Sequence, residues 1–587
     1  MMRGEGRPVA AEAGTPGDVR GEGYKWVALS NTTVGVLLAT IDSSIMLIAM
    51  PDIFRGVRLD PLSPGNSFYL LWMILGYLIV SSVLVVSLGR LGDLFGRVRM
   101  YNLGFVVYTA ASLVLTIDPL TGRAGALWLI VGRVFQGVGA AFLIANSAAI
   151  LTDAFPTNQR GLALGINNVA GISGSFIGLI LGGILGPIDW RFVFLVSVPF
   201  GLFGTVWAYL KLEDRGIRRR APIDWAGNLT FAVGLILVMV GITYGIEPSG
   251  GSAMGWTSPR VLAELAAGVA CLAAFCVIET RVPNPMFRLP LFKIRAFTAG
   301  TVSSFLSAVG RGGLMFMLII WLQGIWLPEH GFSFSDTPLW AGIYMLPLTA
   351  GFLLAGPASG ILSDRFGSRP FATGGMIGAT AAFGLMLLLP VDFSYWQFAL
   401  LLLMIGLSMG AFASPNRAGV MNSLPADQRG VGGGMNATFQ NSAQVLSIGI
   451  FFTLMIVGLS SALSSALTRG LLTHGVARAE AVRVGHLPPV SVLFAAFLGY
   501  NPIRSLVGSK VLGGLPAHDR SALTGHSFFS TLISAPFHTG LTEAFVFAAI
   551  ACLIAAGASW SRGRRYVDEG RAQPGDEPAP VPAAVDH

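Results

Sequence analysis

About fourteen long apolar runs, separated by short polar loops, constrain this chain more than any other feature. Each is long enough to cross the ~30 Å hydrocarbon core of a bilayer as a helix. Their limits are 27–50, 67–88, 100–117, 125–150, 161–186, 190–211, 224–246, 258–280, 297–327, 337–361, 371–390, 396–415, 430–463 and 539–560. The segment GPIDW at Gly186–Trp190 splits what would otherwise be one helix over 161–211. Of the 587 residues, 53% are hydrophobic and 12% charged, with a mean hydropathy of +0.67. A soluble chain carries about twice that charged fraction. In lipid every backbone polar group must be satisfied within the protein, so the expected fold class is an all-α integral membrane protein.

The net charge of +8 does not point to nucleic acid, because the basic residues lie in short loops between apolar runs. Arg90, Arg97 and Arg99 form one group. Lys211, Arg215, Arg218, Arg219 and Arg220 form a second, and Arg281, Arg288, Lys293 and Arg295 a third. Arg562, Arg564 and Arg565 follow the last run. An even number of spans puts all four groups on one side. The positive-inside rule makes that side cytoplasmic, with both termini there, in a cell inner (plasma) membrane. Cys271, Cys276 and Cys552 lie within apolar runs and lack metal-ligand spacing, so neither a disulfide framework nor a metal site is expected. The polar N-terminus up to Tyr24 lacks the pattern of a cleaved signal peptide.

One connection, 464–538, is far longer than the others and falls on the outer side. It holds the half-apolar stretch VSVLFAAFLGY and His474, His486, His518, His526 and His538. Their wide spacing favours solvated loop histidines over a metal or pH-sensing cluster. A partly ordered hairpin over the outer mouth is a further reading. The tail after Tyr566 is rich in Pro, Ala and acidic residues and is expected to be disordered.

The chain repeats itself. GRLGDLFGRVR from Gly89 and GILSDRFGSRP from Gly360 share a glycine, an aspartate and a second glycine at one offset: Gly89, Asp93, Gly96 and Gly360, Asp364, Gly367. NSAAILTDAFPTNQRG from Asn146 and NRAGVMNSLPADQRG from Asn416 repeat at nearly the same offset. Such repeats are typical of transporter halves that rock about a central site. The expected units are a flexible N-terminus (1–24), a six-helix bundle (25–211), an inserted helix pair with linkers (212–296), a second six-helix bundle with the long outer loop (297–560) and a cytoplasmic tail (561–587). The chain has no phosphate-binding Gly-x-x-x-x-Gly-Lys-Ser/Thr loop for ATP and no Ser-His-Asp set, so it is not expected to be an enzyme.

These segments resemble the major facilitator superfamily, in its fourteen-span drug:proton antiporter branch, from about Tyr24 to Trp560. GRLGDLFGR resembles the loop signature between spans 2 and 3. LIVGRVFQGVGAA, Leu129–Ala141, resembles the fourth-span signature, and IDSSIMLIAMP the first-span one, with Leu47 where asparagine is usual. PIDWAG at Pro222–Gly227 and GWTSP at Gly255–Pro259 resemble segments flanking the inserted seventh span. GISGSFIGLILGG resembles the glycine-rich fifth-span signature through Gly174, Gly178, Gly182 and Gly183, whose spacing lets helices approach closely. Leu179 stands there in place of the motif proline, so the span is expected to bend less.

The resemblance implies a secondary transporter that exports hydrophobic, often cationic compounds, driven by the proton gradient without a cofactor and functioning as a monomer. Export of a lipid or cell-envelope precursor and a non-transporting scaffold are the competing readings. A carboxylate deep in a membrane helix is costly, so Asp42 is expected to face a cavity or a partner and to serve as a proton and cation site, or else to make a structural hydrogen bond. The resemblance makes Arg133 a proton-coupling residue; the alternative is an arginine that satisfies helix carbonyls. Arg311, inside the ninth run, is expected to pair with an acid such as Asp42, to bind an anionic group, or to snorkel to the interface. Gly89, Asp93, Gly96 and Arg97, with Gly360, Asp364, Gly367 and Arg369, are expected to form gating loops. Trp72, Tyr77, Gln136, Asn146, Gln323, Tyr344, Asn416 and Asn436 are the expected substrate-cavity residues.

Overall fold

The computed structural model describes residues 19–563, apart from 61, 64, 157–158, 215–223, 251–253, 284, 286, 426–427, 500 and 526. Arg215, Arg218, Arg219, Arg220, Arg564, Arg565, His526 and the C-terminal tail lie outside the described residues, as does the side chain of Asp364.

Among the described residues, thirteen helices are long and apolar enough to cross a membrane. Ser368–Met386 completes the series; Arg369 and Pro370 in its first turn lower its hydropathy below the others. Taken in order, the spans are 1 (Val19–Val57), 2 (Asn66–Phe95), 3 (Arg97–Thr116), 4 (Gly122–Ala154) and 5 (Arg160–Ile188). Then come 6 (Phe192–Lys211), 7 (Trp225–Gly245), 8 (Pro259–Glu279) and 9 (Arg295–Glu329). Span 10 is Leu346–Phe366, entered through the short helix Thr337–Tyr344, and 11 is Ser368–Met386. The last three are 12 (Tyr395–Asn422), 13 (Arg429–Thr473) and 14 (Phe528–Trp560).

Spans 13 and 14 exceed the apolar runs that mark them. Span 13 continues through a serine-rich stretch in which the hydroxyls of Ser460, Ser461 and Ser465 donate to the carbonyls of Val457, Gly458 and Ala462 and so are satisfied along the helix. Polar sequence therefore stays helical beyond the apolar run. Span 14 starts at Phe528 and carries Pro536 and His538 inside it, so His538 belongs to the helix and not to a loop.

Span 1 packs on spans 4 and 5, span 2 on span 4, and span 3 on spans 4 and 6. In the second half, span 9 packs on 13 and 14, span 10 on 12, and span 11 on 12 and 14. Spans 7 and 8 pack on each other, and span 7 leans on spans 2 and 13. Ser67 Oγ donates to the Glu247 carboxylate over 2.9 Å, tying the span 7–8 connection to span 2. Burial pushes the Glu247 pKa up, and that hydrogen bond partly offsets it.

The repeat is visible in the backbone. Gly96 joins spans 2 and 3 with φ 108°, and Gly367 joins spans 10 and 11 with φ 87°. A one-residue hinge between antiparallel helices needs positive φ, which glycine adopts without strain. The surroundings of the two hinges differ. Arg97 bonds both Asp93 and Asp153 over 2.7 Å. Arg369 instead lies 4.0 Å over the Trp560 ring, and the second copy of the repeat has no aspartate at the place of Asp153.

The long connection between spans 13 and 14 is helical and partly buried. All nine residues of Pro489–Phe497 are buried. This segment meets span 9 where Leu322–Trp326 forms a π-turn, with the backbone of Ala496 and Phe497 against Gly324. Each fully buried Val, Leu or Phe contributes about 1.5–3 kcal/mol over exposure, so VSVLFAAF is a packed cap and not a solvated loop. His486 Nδ1 lies 2.7 Å from Val482 O, His538 Nε2 lies 3.0 Å from Leu389 O, and His518 is exposed. The described residues contain no grouping of His, Cys, Asp and Glu that could hold a metal.

Candidate functional site

Asp42 and Arg133 meet inside the first half, 0% and 1% exposed. Asp42 lies on span 1 and Arg133 on span 4. Arg133 Nη1 donates to Asp42 Oδ2 and, over 2.7 Å, to Gln136 Oε1. Gln136 Nε2 donates to Asp42 Oδ1 over 2.9 Å and to Ser112 Oγ of span 3 over 3.0 Å. Arg133 Nε reaches Met73 O of span 2 at 3.3 Å, and its guanidinium carbon lies 4.3 Å from the Tyr77 ring centroid. The Tyr77 hydroxyl donates to Ala39 O, one turn before Asp42. Spans 1 to 4 thus converge on one charge cluster built around the Asp42–Arg133 pair.

Burying two opposite charges is tolerable only if both are hydrogen-bonded. Both carboxylate oxygens of Asp42 are occupied, and the guanidinium has four acceptors or faces around it. Gln136 serves because its amide donates to the acid while its carbonyl accepts from the base. The pairing of Asp42 with Arg311 does not occur: Asp42 is held by Arg133 and Gln136. Arg311 is solvent-accessible and makes no ion pair with any described acid.

The fifth-span glycines position this cluster. A Cβ on Gly174 would overlap Thr40, one on Gly178 would overlap Ile41 O and Ser44 Oγ, and one on Gly182 would overlap Ile48. The stripe brings span 5 onto the backbone of span 1 on either side of Asp42. Gly183 instead faces Leu339 in the second half, and Leu179 O and Cβ lie against Gly342. Leu179, in place of the motif proline, therefore sits in an uninterrupted helical stretch at the contact between halves; the only internal proline of span 5 is Pro187, near its end.

Gln323 Nε2 donates to Ile48 O over 3.1 Å, also joining the two halves. Together with the Gly183–Leu339 and Leu179–Gly342 contacts, this closes the end opposite the glycine-aspartate hinges. Toward the hinge end, Ile166 and Val169 on span 5 and Leu354, Ile361 and Leu362 on span 10 are exposed.

The expected cavity residues separate into groups. Tyr77 and Gln136 belong to the charge cluster. Asn146, Gln323 and Asn416 are buried and spend their amide NH2 groups on Phe142 O, Ile48 O, and Gly300 O with Ser304 Oγ respectively. Gln323 and Asn416 thereby join helices and Asn146 bonds back within span 4, so none of the three is open cavity surface. Asn436 is buried as well. Tyr344 sits at the closed end, its ring 4.1 Å from that of Tyr395. Trp72 stacks on Phe68 at 5.6 Å. Of the gating set, Gly89 and Gly360 approach Ala145 and Ser414 of the neighbouring spans 4 and 12.

Ser112 and Met73 O were not legible as site residues, because neither belongs to a motif.

The family model for the Major Facilitator Superfamily matches residues 32–225 and 219–448. The tetracenomycin C resistance and export protein of Streptomyces glaucescens is 28% identical, covering 96% of this chain and 95% of that protein. The methyl viologen resistance protein SmvA of Salmonella typhimurium is 29% identical over 79% of this chain and 90% of its own length. Riboflavin transporter RibZ of Clostridioides difficile is 27% identical over 73% and 87%. In fold, the chain is similar to a bacterial homologue of the human lysosomal transporter Spinster, solved inward-facing and unoccupied, with a TM-score of 0.51 at 15% identity over 92% of this chain and 97% of that one. Two repeated bundles, a multi-pass helical membrane architecture and a family match across most of the chain converge: this protein belongs to the Major Facilitator Superfamily.

Proposed function

We propose that this protein is a proton-coupled exporter of small hydrophobic molecules, working by alternating access in a plasma membrane with both termini in the cytoplasm. The observation that carries the reading is the Asp42–Arg133–Gln136 cluster, a titratable acid buried at the meeting of four spans. Its relatives include antibiotic resistance and export proteins, which supports export over the scaffold and lipid-precursor readings.

The cluster has two self-consistent arrangements. With Asp42 ionised, Arg133 and Gln136 hold it, as observed. A proton on Asp42 removes the charge that holds Arg133. The guanidinium keeps Gln136 Oε1, Met73 O and the Tyr77 ring as partners, which offset part of the cost of its unpaired charge when Asp42 is released. Span 1 is then free to shift relative to span 4. Because the Gly174–Gly178–Gly182 stripe locks span 5 to span 1, that shift reaches Gly183 and Leu179, the contacts that close the two halves. Spans 1–6 and 9–14 rock as halves, with spans 7–8 an inserted pair, and the hinges at Gly96 and Gly367 are gates. A proton entering at 100 mV supplies about 2.3 kcal/mol, enough for more than tenfold accumulation of a neutral solute.

The test is proton release from the purified protein when amphipathic aromatic compounds of either charge are added. Wild type releases protons with at least one compound, and Asp42→Asn releases none. If no compound moves a proton and Asp42→Asn transports like wild type, the coupling model is wrong.

A further inference from the structure

Arg311 and Arg417 are exposed although each lies within a membrane span. A charged side chain exposed inside a span faces either lipid or the space between the halves, and charge disfavours lipid. Their neighbours give the direction. On span 9, Gly310 faces Cys552 of span 14, while Gly312 and Gly313 face Gln444, Ser447 and Phe451 of span 13. Ser304 and Ser307 bond Asn416 and Met409 of span 12. Arg311 is left toward the gap between spans 12 and 13. On span 12, Asn416 and Val420 face Gly300 of span 9, whereas Gly410 and Ser414 face Phe352 and Gly360 of span 10. Arg417 is left toward the gap between spans 9 and 10.

Neither guanidinium has a described carboxylate within reach, and no charged group acts on either. Asp42 is already committed to Arg133. Snorkelling does not account for Arg311. It lies sixteen residues from Arg295 and eighteen from Glu329, the two ends of its span. At ~1.5 Å per residue each end is at least about 24 Å away, beyond the length of an arginine. An uncompensated cation at such depth is costly and is kept for function. Contact of Asn416 with Gly300 puts Arg417 about 16 Å from Arg311 along span 9, nearer the hinge end.

We propose that Arg311 and Arg417 are anion-binding residues of the transport cavity, selecting substrates that carry a carboxylate, sulfonate or phosphate on an apolar body. The proposal rests on the transport reading and names its substrate class. The anion meets Arg417 near the open end and reaches Arg311 at the centre. A guanidinium binds such groups through paired N–H donors, and its charge repels lipophilic cations from the same space.

Two dansyl amides of equal size test this, one bearing a carboxylate and one a trimethylammonium group. Both are titrated by fluorescence into the purified full-length protein. Wild type is expected to bind the carboxylate at least tenfold more tightly. Arg311→Gln abolishes that preference, Arg311→Lys retains most of it, and Arg417→Gln reduces it several-fold. A third arm follows acyl-labelled phosphatidylglycerol across proteoliposome bilayers. If it moves and the dansyl carboxylate does not bind, the anion recognised is a lipid headgroup. Should the Gln variant fail to fold, the wild-type preference and the Lys variant still decide. Equal binding of both amides by wild type, with no lipid movement, or a preference for the cation, overturns the proposal. This outcome is separate from failure of proton coupling, because equilibrium binding requires no gradient.

Discussion

In the first half of this protein, a membrane-embedded aspartate and arginine are excluded from solvent and satisfy each other. In the second half, two arginines at Arg311 and Arg417 stand accessible and without an acid. The halves share their helix order and their glycine hinges, so this difference was introduced on a common frame. A paired, buried acid is suited to exchanging a proton because the charge on it decides whether its arginine is held. An unpaired, accessible cation is suited to meeting a charged ligand. Proton and cargo would then be handled in different halves, and movement of one half against the other would couple them.

The sharpest way to break this comparison is to remove one cation from each half. Arg133→Ala strands the Asp42 carboxylate and should cost about 3–5 kcal/mol, read as a large fall in thermal stability in detergent. Adding Asp42→Asn to it should recover much of the loss. Arg311→Ala strands nothing and should leave stability within about 1 kcal/mol of wild type. Similar melting of Arg133→Ala and Arg311→Ala would mean that the two halves do not differ as described.

A smaller effect is expected at the helix contact that relays span 1 to the second half. Gly178→Val pushes a side chain into Ile41 O and Ser44 and should cost about 1–3 kcal/mol, with transport reduced more than binding. Gly165→Val is the control, since nothing lies within 4 Å of a Cβ there. Equal transport by the two variants would remove the relay from the model.

The smallest effect concerns the hinges. Arg97→Gln breaks two ion pairs, with Asp93 and Asp153, and should slow transport several-fold. Among the described residues, Arg369→Gln loses the stacking on Trp560, worth about 0.5–1 kcal/mol, and should change the rate less than twofold. Rates measured in the same vesicles decide; a larger effect for Arg369→Gln would reverse the order of the two gates.

Much of this was legible in one chain. The apolar runs gave the spans because lipid leaves a backbone no alternative to helix. Asp42 and Arg133 stood out because charge in such runs is costly and rare. Gly96 and Gly367 stood out because the same pattern occurs twice. The limits of spans 13 and 14 did not follow, since hydropathy marks where lipid begins and not where helical hydrogen bonding ends. The cap at Pro489–Phe497 was open to several readings, because a short, mostly apolar stretch does not say what it packs against.

By itself, then, the sequence determined the class of fold, the repeat, the hinges and the placement of Asp42, Arg133 and Arg311 inside apolar runs. Local hydropathy and glycine geometry are properties of short segments and can be read from them. Only the tertiary structure decided partners. Asp42 took Arg133 and Gln136 and not Arg311, and Asn416 and Gln323 became joints between helices and not cavity surface. Leu179, where a proline was expected, became part of the contact that closes the two halves. Such choices depend on which helix faces which, and distance across a bundle is not encoded in distance along the chain.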